Sequence, residues 1–71
     1  MYRIELEKGV YGAPWNGDPG RTLKIENAKI FSKKKDAKNE LKKMIEKVNF
    51  FIKFPNAKVI WVDEITGRIK S

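Results

Sequence analysis

Six lysines, Lys34, Lys35, Lys38, Lys42, Lys43 and Lys47, crowd one short stretch of the chain. Lys34, Lys38 and Lys42 follow one another at i, i+4, the spacing that stacks side chains on a helix. Like charges so placed destabilise a helix by about 0.2–0.5 kcal/mol per pair. Lysines in the first turn also oppose the helix dipole. A polyanion would turn that cost into affinity, because each lysine could sit on a phosphate. The competing reading is a solvated face, partly balanced by Asp36, Glu40 and Glu46. Arginine, the better reader of base edges, is absent from this stretch, which favours the solvated face.

A second set of residues is aromatic. Tyr11, Trp15 and Trp61 read as partly exposed aromatics. With lysines nearby they could stack on the bases of a single strand. They could equally anchor a protein partner, since Trp and Tyr dominate interface hot spots. The plainer alternative folds Trp15 over a core edge and buries Trp61 in a homodimer. Phe50, Phe51 and Phe54 continue the pattern of a helix and read as core.

Catalytic chemistry is poorly supplied. The chain has no histidine and no cysteine, so the commonest general base and the thiol nucleophile are both missing. Thiolate and imidazole metal sites are excluded with them. Asp63 and Glu64 are adjacent carboxylates, but neighbours on a strand point to opposite faces, and a solvated strand end is expected. Gly12 and Gly17 share the glycine spacing of a P-loop, yet Asp18-Pro19 stands where its Lys-Ser/Thr must be. Asp18, Asp36 and Glu40 do not match a calcium loop. The expectation is a protein that is not an enzyme, with no catalytic residue, metal or cofactor.

Bulk properties set the frame. Seventy-one residues allow one domain, and a chain so short buries little surface. With no cysteine, stability must come from packing, to which self-association could add. The formal charge is +7, from 16 basic and 9 acidic residues. It reads either as an electrostatic footprint for nucleic acid or as AT-rich coding, which favours lysine, isoleucine and asparagine. No apolar run approaches the roughly 18 residues of a membrane span. Met1 leads directly into an alternating stretch without the features of a signal peptide. A cytoplasmic location is expected, with no membrane partner.

The elements that must position these residues follow from periodicity. Tyr2, Ile4 and Leu6 alternate with Arg3, Glu5 and Glu7, so residues 2–8 read as a half-buried strand. Residues 9–20 hold glycines and prolines and read as a hairpin loop, with tight turns at Asn16-Gly17 and Pro19-Gly20. Residues 21–31 read as a second strand, broken by a bulge or bend near Asn27. Ser32 suits an N-cap. Ala37, Leu41, Met44, Ile45, Val48, Phe51 and Ile52 then make one apolar stripe on a helix over 33–52. Phe54-Pro55 ends it. Residues 57–63 read as a β-branched, aromatic strand. A turn follows, after which residues 68–71 either return as a short edge or fray.

The expected fold class is α+β: a three-stranded antiparallel sheet in the order β-β-α-β, first strand central, with one amphipathic helix on one face. The helix is expected to cover Ile4, Leu6, Ile25, Ile60 and Val62. Val59, Trp61 and Phe31 are then expected on an opposite face with no cover, and such a patch marks an interface.

The segments Tyr2-Arg3-Ile4-Glu5-Leu6, Ala28-Lys29-Ile30-Phe31-Ser32-Lys33-Lys34-Lys35-Asp36-Ala37 and Ala57-Lys58-Val59-Ile60-Trp61-Val62 form a familiar series. It resembles small ββαβ accessory proteins encoded by phages and prophages of low-GC Gram-positive bacteria, in which a strand pair leads into "Ala-Lys-x-Phe-Ser-x-Lys-x-Asp-Ala". The resemblance implies a non-catalytic protein that binds a host defence or replication factor and acts by occupancy. The protein-binding residues expected on that reading are Tyr11, Trp15, Val59 and Trp61. The alternative is nucleic-acid binding through Lys34, Lys35, Lys38, Lys42, Lys43 and Lys47. A homodimer through the uncovered sheet face is compatible with either.

Overall fold

Alternation over the first residues does produce a strand, β1 (Tyr2–Glu7), and it ends at Gly9, whose φ of 80° is a left-handed turn conformation. In the computed structural model, which describes residues 1–15, 20–47 and 53–70, the chain doubles back there. β2 (Val10–Gly12) pairs antiparallel with β1, with a register shift between Glu5 and Glu7. β3 (Arg21–Thr22) pairs with β2. Strand β4 (Lys58–Val62) lies against the other side of β1, and β5 (Ile69–Lys70) against β4. Among the described residues the result is an antiparallel sheet of five strands in the order β3-β2-β1-β4-β5 with β1 at its centre. Helix α1 (Lys34–Ile45) packs on it.

The α+β class and the central first strand are as expected; the three-strand count is not, and the helix expected over 33–52 ends at Ile45, with Glu46 as its C-cap and residues 46–47 no longer helical. The difference lies in residues 9–31. The expected hairpin loop at 9–20 contains β2, because the turn falls at Lys8-Gly9 rather than at the later glycines. The expected strand over 21–31 is a strand only at Arg21–Thr22. Beyond it the Thr22 hydroxyl accepts a bond from the Lys24 amide at 3.1 Å, and a 3-10 turn follows at Ile25–Asn27. A side chain bonding its own backbone two residues on offers an alternative to the strand ladder. The chain rejoins the sheet at Phe31, which bridges Tyr2 by two backbone hydrogen bonds of 2.8 and 2.9 Å. The turns expected at Asn16-Gly17 and Pro19, and the helix stripe at Val48 to Ile52, lie outside the described residues.

The N-cap of α1 falls one residue later than Ser32. Lys33 is its N-cap, with extended backbone and no side-chain cap bond. Ala37 is fully buried, and its small size brings the helix close to the sheet. Leu41, Met44 and Ile45 complete the inward stripe.

Register decides what each face of the sheet carries, and it corrects the expected distribution. Ile4 stands opposite Val59 and Arg3 opposite Ile60. Cross-strand partners share a face, so Val59 lies with Ile4 and Leu6 under the helix. Phe31 and Phe54 join this core. Ile60 and Val62 lie on the other face, where they pack with Tyr11, Ala28 and Ile25. Both faces of β4 are apolar, so hydrophobicity left its parity open; a slip of one residue exchanges the faces. The second face is covered. The Ile25–Ala28 segment lies over it, and Ile60 and Val62 are 1% and 3% exposed.

Arg3 belongs to that second face and is buried, against its expected place among solvated charges. Its guanidinium donates to both carboxylate oxygens of Glu64, at 2.7 and 3.1 Å. Such fork-to-fork pairing satisfies two of its donors with one planar partner, while Arg3 Nε has no acceptor among the described residues. The arginine bonds, more than the nearby amino group of Met1, hold the Glu64 carboxyl below its ordinary value, against the opposing effect of desolvation. Glu64 is held in reach by a turn in which Asp63 Oδ1 accepts from the amides of Ile65 and Thr66, closed by Gly67 at φ 72°.

Candidate nucleic-acid interface

The short β2 strand and the bridge at Phe31 leave a gap between α1 and the segment that follows β2. This gap is a cleft of about 310 Å³. Its floor is apolar, made by Ile4, Gly12, Phe31 and Met44. One wall is the stretch Ala13, Pro14 and Trp15, braced by Gly20, whose carbonyl accepts from the Ala13 amide at 2.9 Å. The brace requires glycine: a Cβ at position 20 would collide with the carbonyl oxygen of Trp15. Trp15 remains 49% exposed, so its ring is available to a ligand. The rim is charged, with Lys29, Lys43, Lys47 and Glu40.

Lys29 enters the rim from the segment between the 3-10 turn and the Phe31 bridge. Its Nζ lies 5.3 Å from the centroid of the Phe31 ring and 3.5 Å from Glu40 Oε1. Glu40 and Lys43 are three residues apart on α1 and therefore neighbours on its surface. The rim thus gathers three ammonium groups and one carboxylate over an apolar floor beside a half-exposed indole. Its volume is at the small end of the roughly 300–1,000 Å³ typical of ligand clefts. That is room for one ring-bearing unit of a ligand.

The residues expected from sequence divide sharply. Trp15, Lys43 and Lys47 come together at the cleft. Lys34, Lys35, Lys38 and Lys42 are exposed but do not line it. A turn of 3.6 residues places Lys34, Lys38 and Lys42 on the flank of α1 opposite Lys43 and Lys47, so the six lysines are two groups and not one strip. Tyr11 is buried at 8% exposure in the second core. Val59 is half-buried under the helix, and Trp61 is half-buried between its cross-strand neighbours Tyr2 and Lys70. The four expected protein-binding residues therefore do not form one surface, and the open sheet face on which the homodimer was expected is occupied.

Two members of the site were not singled out in the sequence. Lys29 is isolated from the lysine cluster, and it stood out only as the lysine of the Ala-Lys-x-Phe-Ser series, with no binding role attached to it. Glu40 reads in the sequence as a balancing charge and stands in the structure as a member of the rim. Among the described residues, no cluster of three or more potential metal ligands occurs, and no helix is long and apolar enough to cross a membrane. Comparison of the chain with models of known protein families, with curated proteins and with solved structures finds no match to any of them.

Proposed function

We propose that this is a non-catalytic binding protein whose ligand is single-stranded nucleic acid, held at the cleft between α1 and Trp15. The observation that carries the reading is the meeting of Trp15 with Lys29, Lys43 and Lys47 over an apolar floor. Lysines supply the phosphate contacts that dominate affinity. An indole beside them supplies a stacking platform, which every base can use. A duplex hides the faces of its bases, so a base can lie on Trp15 only when it is unpaired. The net charge of +7 adds long-range attraction for a polyanion. Lys34, Lys35, Lys38 and Lys42, on the other flank of α1, add to that attraction without bordering the cleft.

Occupancy of a host protein, the function implied by the resemblance to phage accessory proteins, is the second reading. Trp15 supports it, as a large exposed aromatic at a cleft mouth is also a protein-interface anchor. The two are separated by titrating labelled single- and double-stranded DNA and RNA at low and near-physiological salt, followed by fluorescence anisotropy. The single-strand reading expects binding that persists at near-physiological salt and favours single strands. Binding confined to low salt and indifferent to strandedness would sink it and leave the protein partner as the reading to pursue.

A further inference from the structure

Taking the cleft as the binding site for the strand, we propose that Glu40 is a built-in competitor of the ligand, holding Lys29 until a phosphate displaces it. Among the described residues Glu40 is the acidic side chain that lines this cleft. Its carboxylate lies 3.5 Å from Lys29 Nζ and joins α1 to the segment across the opening. The two side chains are 45% and 33% exposed, and an ion pair so open to water is weak and exchanges readily. A phosphate and a carboxylate present the same kind of acceptor to an ammonium group, so both compete for Lys29.

Lys29 has a second hold. Its ammonium lies over the Phe31 ring, a contact worth a fraction of a strong bond yet directional. When Glu40 is displaced, the ring keeps the ammonium at the rim, where it can meet the incoming anion. The arrangement selects for ligands that bring a phosphate beside the inserted base. A neutral aromatic or a bare nucleoside could stack on Trp15 but could not replace Glu40 at Lys29.

The test compares Glu40→Gln with Glu26→Gln. Both remove one negative charge, but Glu26 belongs to the 3-10 turn of the segment that covers the opposite face of the sheet. Affinity for a labelled single-stranded oligonucleotide is measured against salt for wild type and both variants. Glu40→Gln is expected to bind about three- to fivefold tighter, as befits release of a weak exposed pair. The slope of log affinity on log salt should stay near that of wild type, because Lys29 meets the phosphate in both proteins and only the cost of displacing Glu40 is removed. Glu26→Gln should stay near wild type, and adding Lys29→Gln to Glu40→Gln should abolish the gain. Equal effects of Glu40→Gln and Glu26→Gln would overturn the competitor role while wild-type binding keeps the site. Absence of binding by every folded variant, checked by thermal melting, would overturn both.

Discussion

Removing the indole of Trp15 and removing the charge of Lys43 should weaken nucleic-acid binding in two distinguishable ways. Stacking of a base on an aromatic side chain is worth about 1–3 kcal/mol by alanine substitution. At 1.4 kcal/mol per decade, Trp15→Ala should therefore lose about five- to 150-fold in affinity. Stacking releases no counterions, so its salt dependence should match wild type. Lys43→Gln should do the reverse. With two or three of Lys29, Lys43 and Lys47 on phosphates, the wild-type slope from this cleft is about 1.4–2.1, at 0.7 per contact. Raising salt from about 50 to 200 mM should then lower affinity by roughly seven- to twentyfold. Lys43→Gln should flatten the slope by about 0.7. The assay is anisotropy at four or more salt concentrations, with tryptophan emission followed in a Trp61→Phe background so that Trp15 reports alone. The reasoning fails if Trp15→Ala binds like wild type, or if Lys43→Gln lowers affinity without changing the slope. Either result would place the strand somewhere other than the cleft.

Two further predictions concern the supports of the site and of the fold. Gly20→Ala would drive a methyl group into the Trp15 carbonyl and to 3.0 Å from that of Ala13, so stability should fall by about 1–3 kcal/mol, and Trp15 emission should shift; an unchanged melting curve and spectrum would show that the brace is not needed. Glu64 titrates below its ordinary value of 4.5 because Arg3 bonds its ionised form. A carboxyl depressed in the folded state lends stability that is present above its unfolded value and is lost as pH falls through the folded one. Wild type should therefore exceed Glu64→Gln in stability at neutral pH, with the gap closing below about pH 4.5; a gap independent of pH in denaturant titrations would refute the pairing.

What the sequence made legible was whatever a single local signal controls. Strand β1 follows from strict alternation, α1 from one apolar stripe, and the turn after β4 from Asp63 and Gly67. Ile4 and Leu6 were placed under the helix because each strand face of β1 has one character. β4 has two apolar faces, and only its pairing with β1 decides that Val59 faces the helix and Ile60 the other way. Residues 23–30 misled because Leu23 and Ile25 alternate with charges as a strand would, although Leu23 is 77% exposed and Thr22 has already turned the chain. Of the candidate site, Trp15, Lys43 and Lys47 were visible as residue types. Their meeting with Lys29 and Glu40 was not, since it depends on the helix flank that faces the end of β2, a relation between elements with no local signature.

The strand lengths of the sheet have a consequence for life at high concentration. From β1 outward the paired segments shorten from six residues to three and then two on one side, and to five and then two on the other. A sheet grows by adding chains to unsatisfied edges, and long, flat edges are the templates for fibrils. Here each margin of the sheet, β3 or β5, offers two residues, with Arg21 on one and Lys70 on the other. The Val-Ile-Trp-Val segment, a fibril-prone stretch by composition, has β1 along one side, while β5 covers Trp61 and Val62 on the other. The taper thus shortens what a neighbouring chain could extend, and on the β5 side it concentrates that risk at Val59 and Ile60, which β5 does not reach.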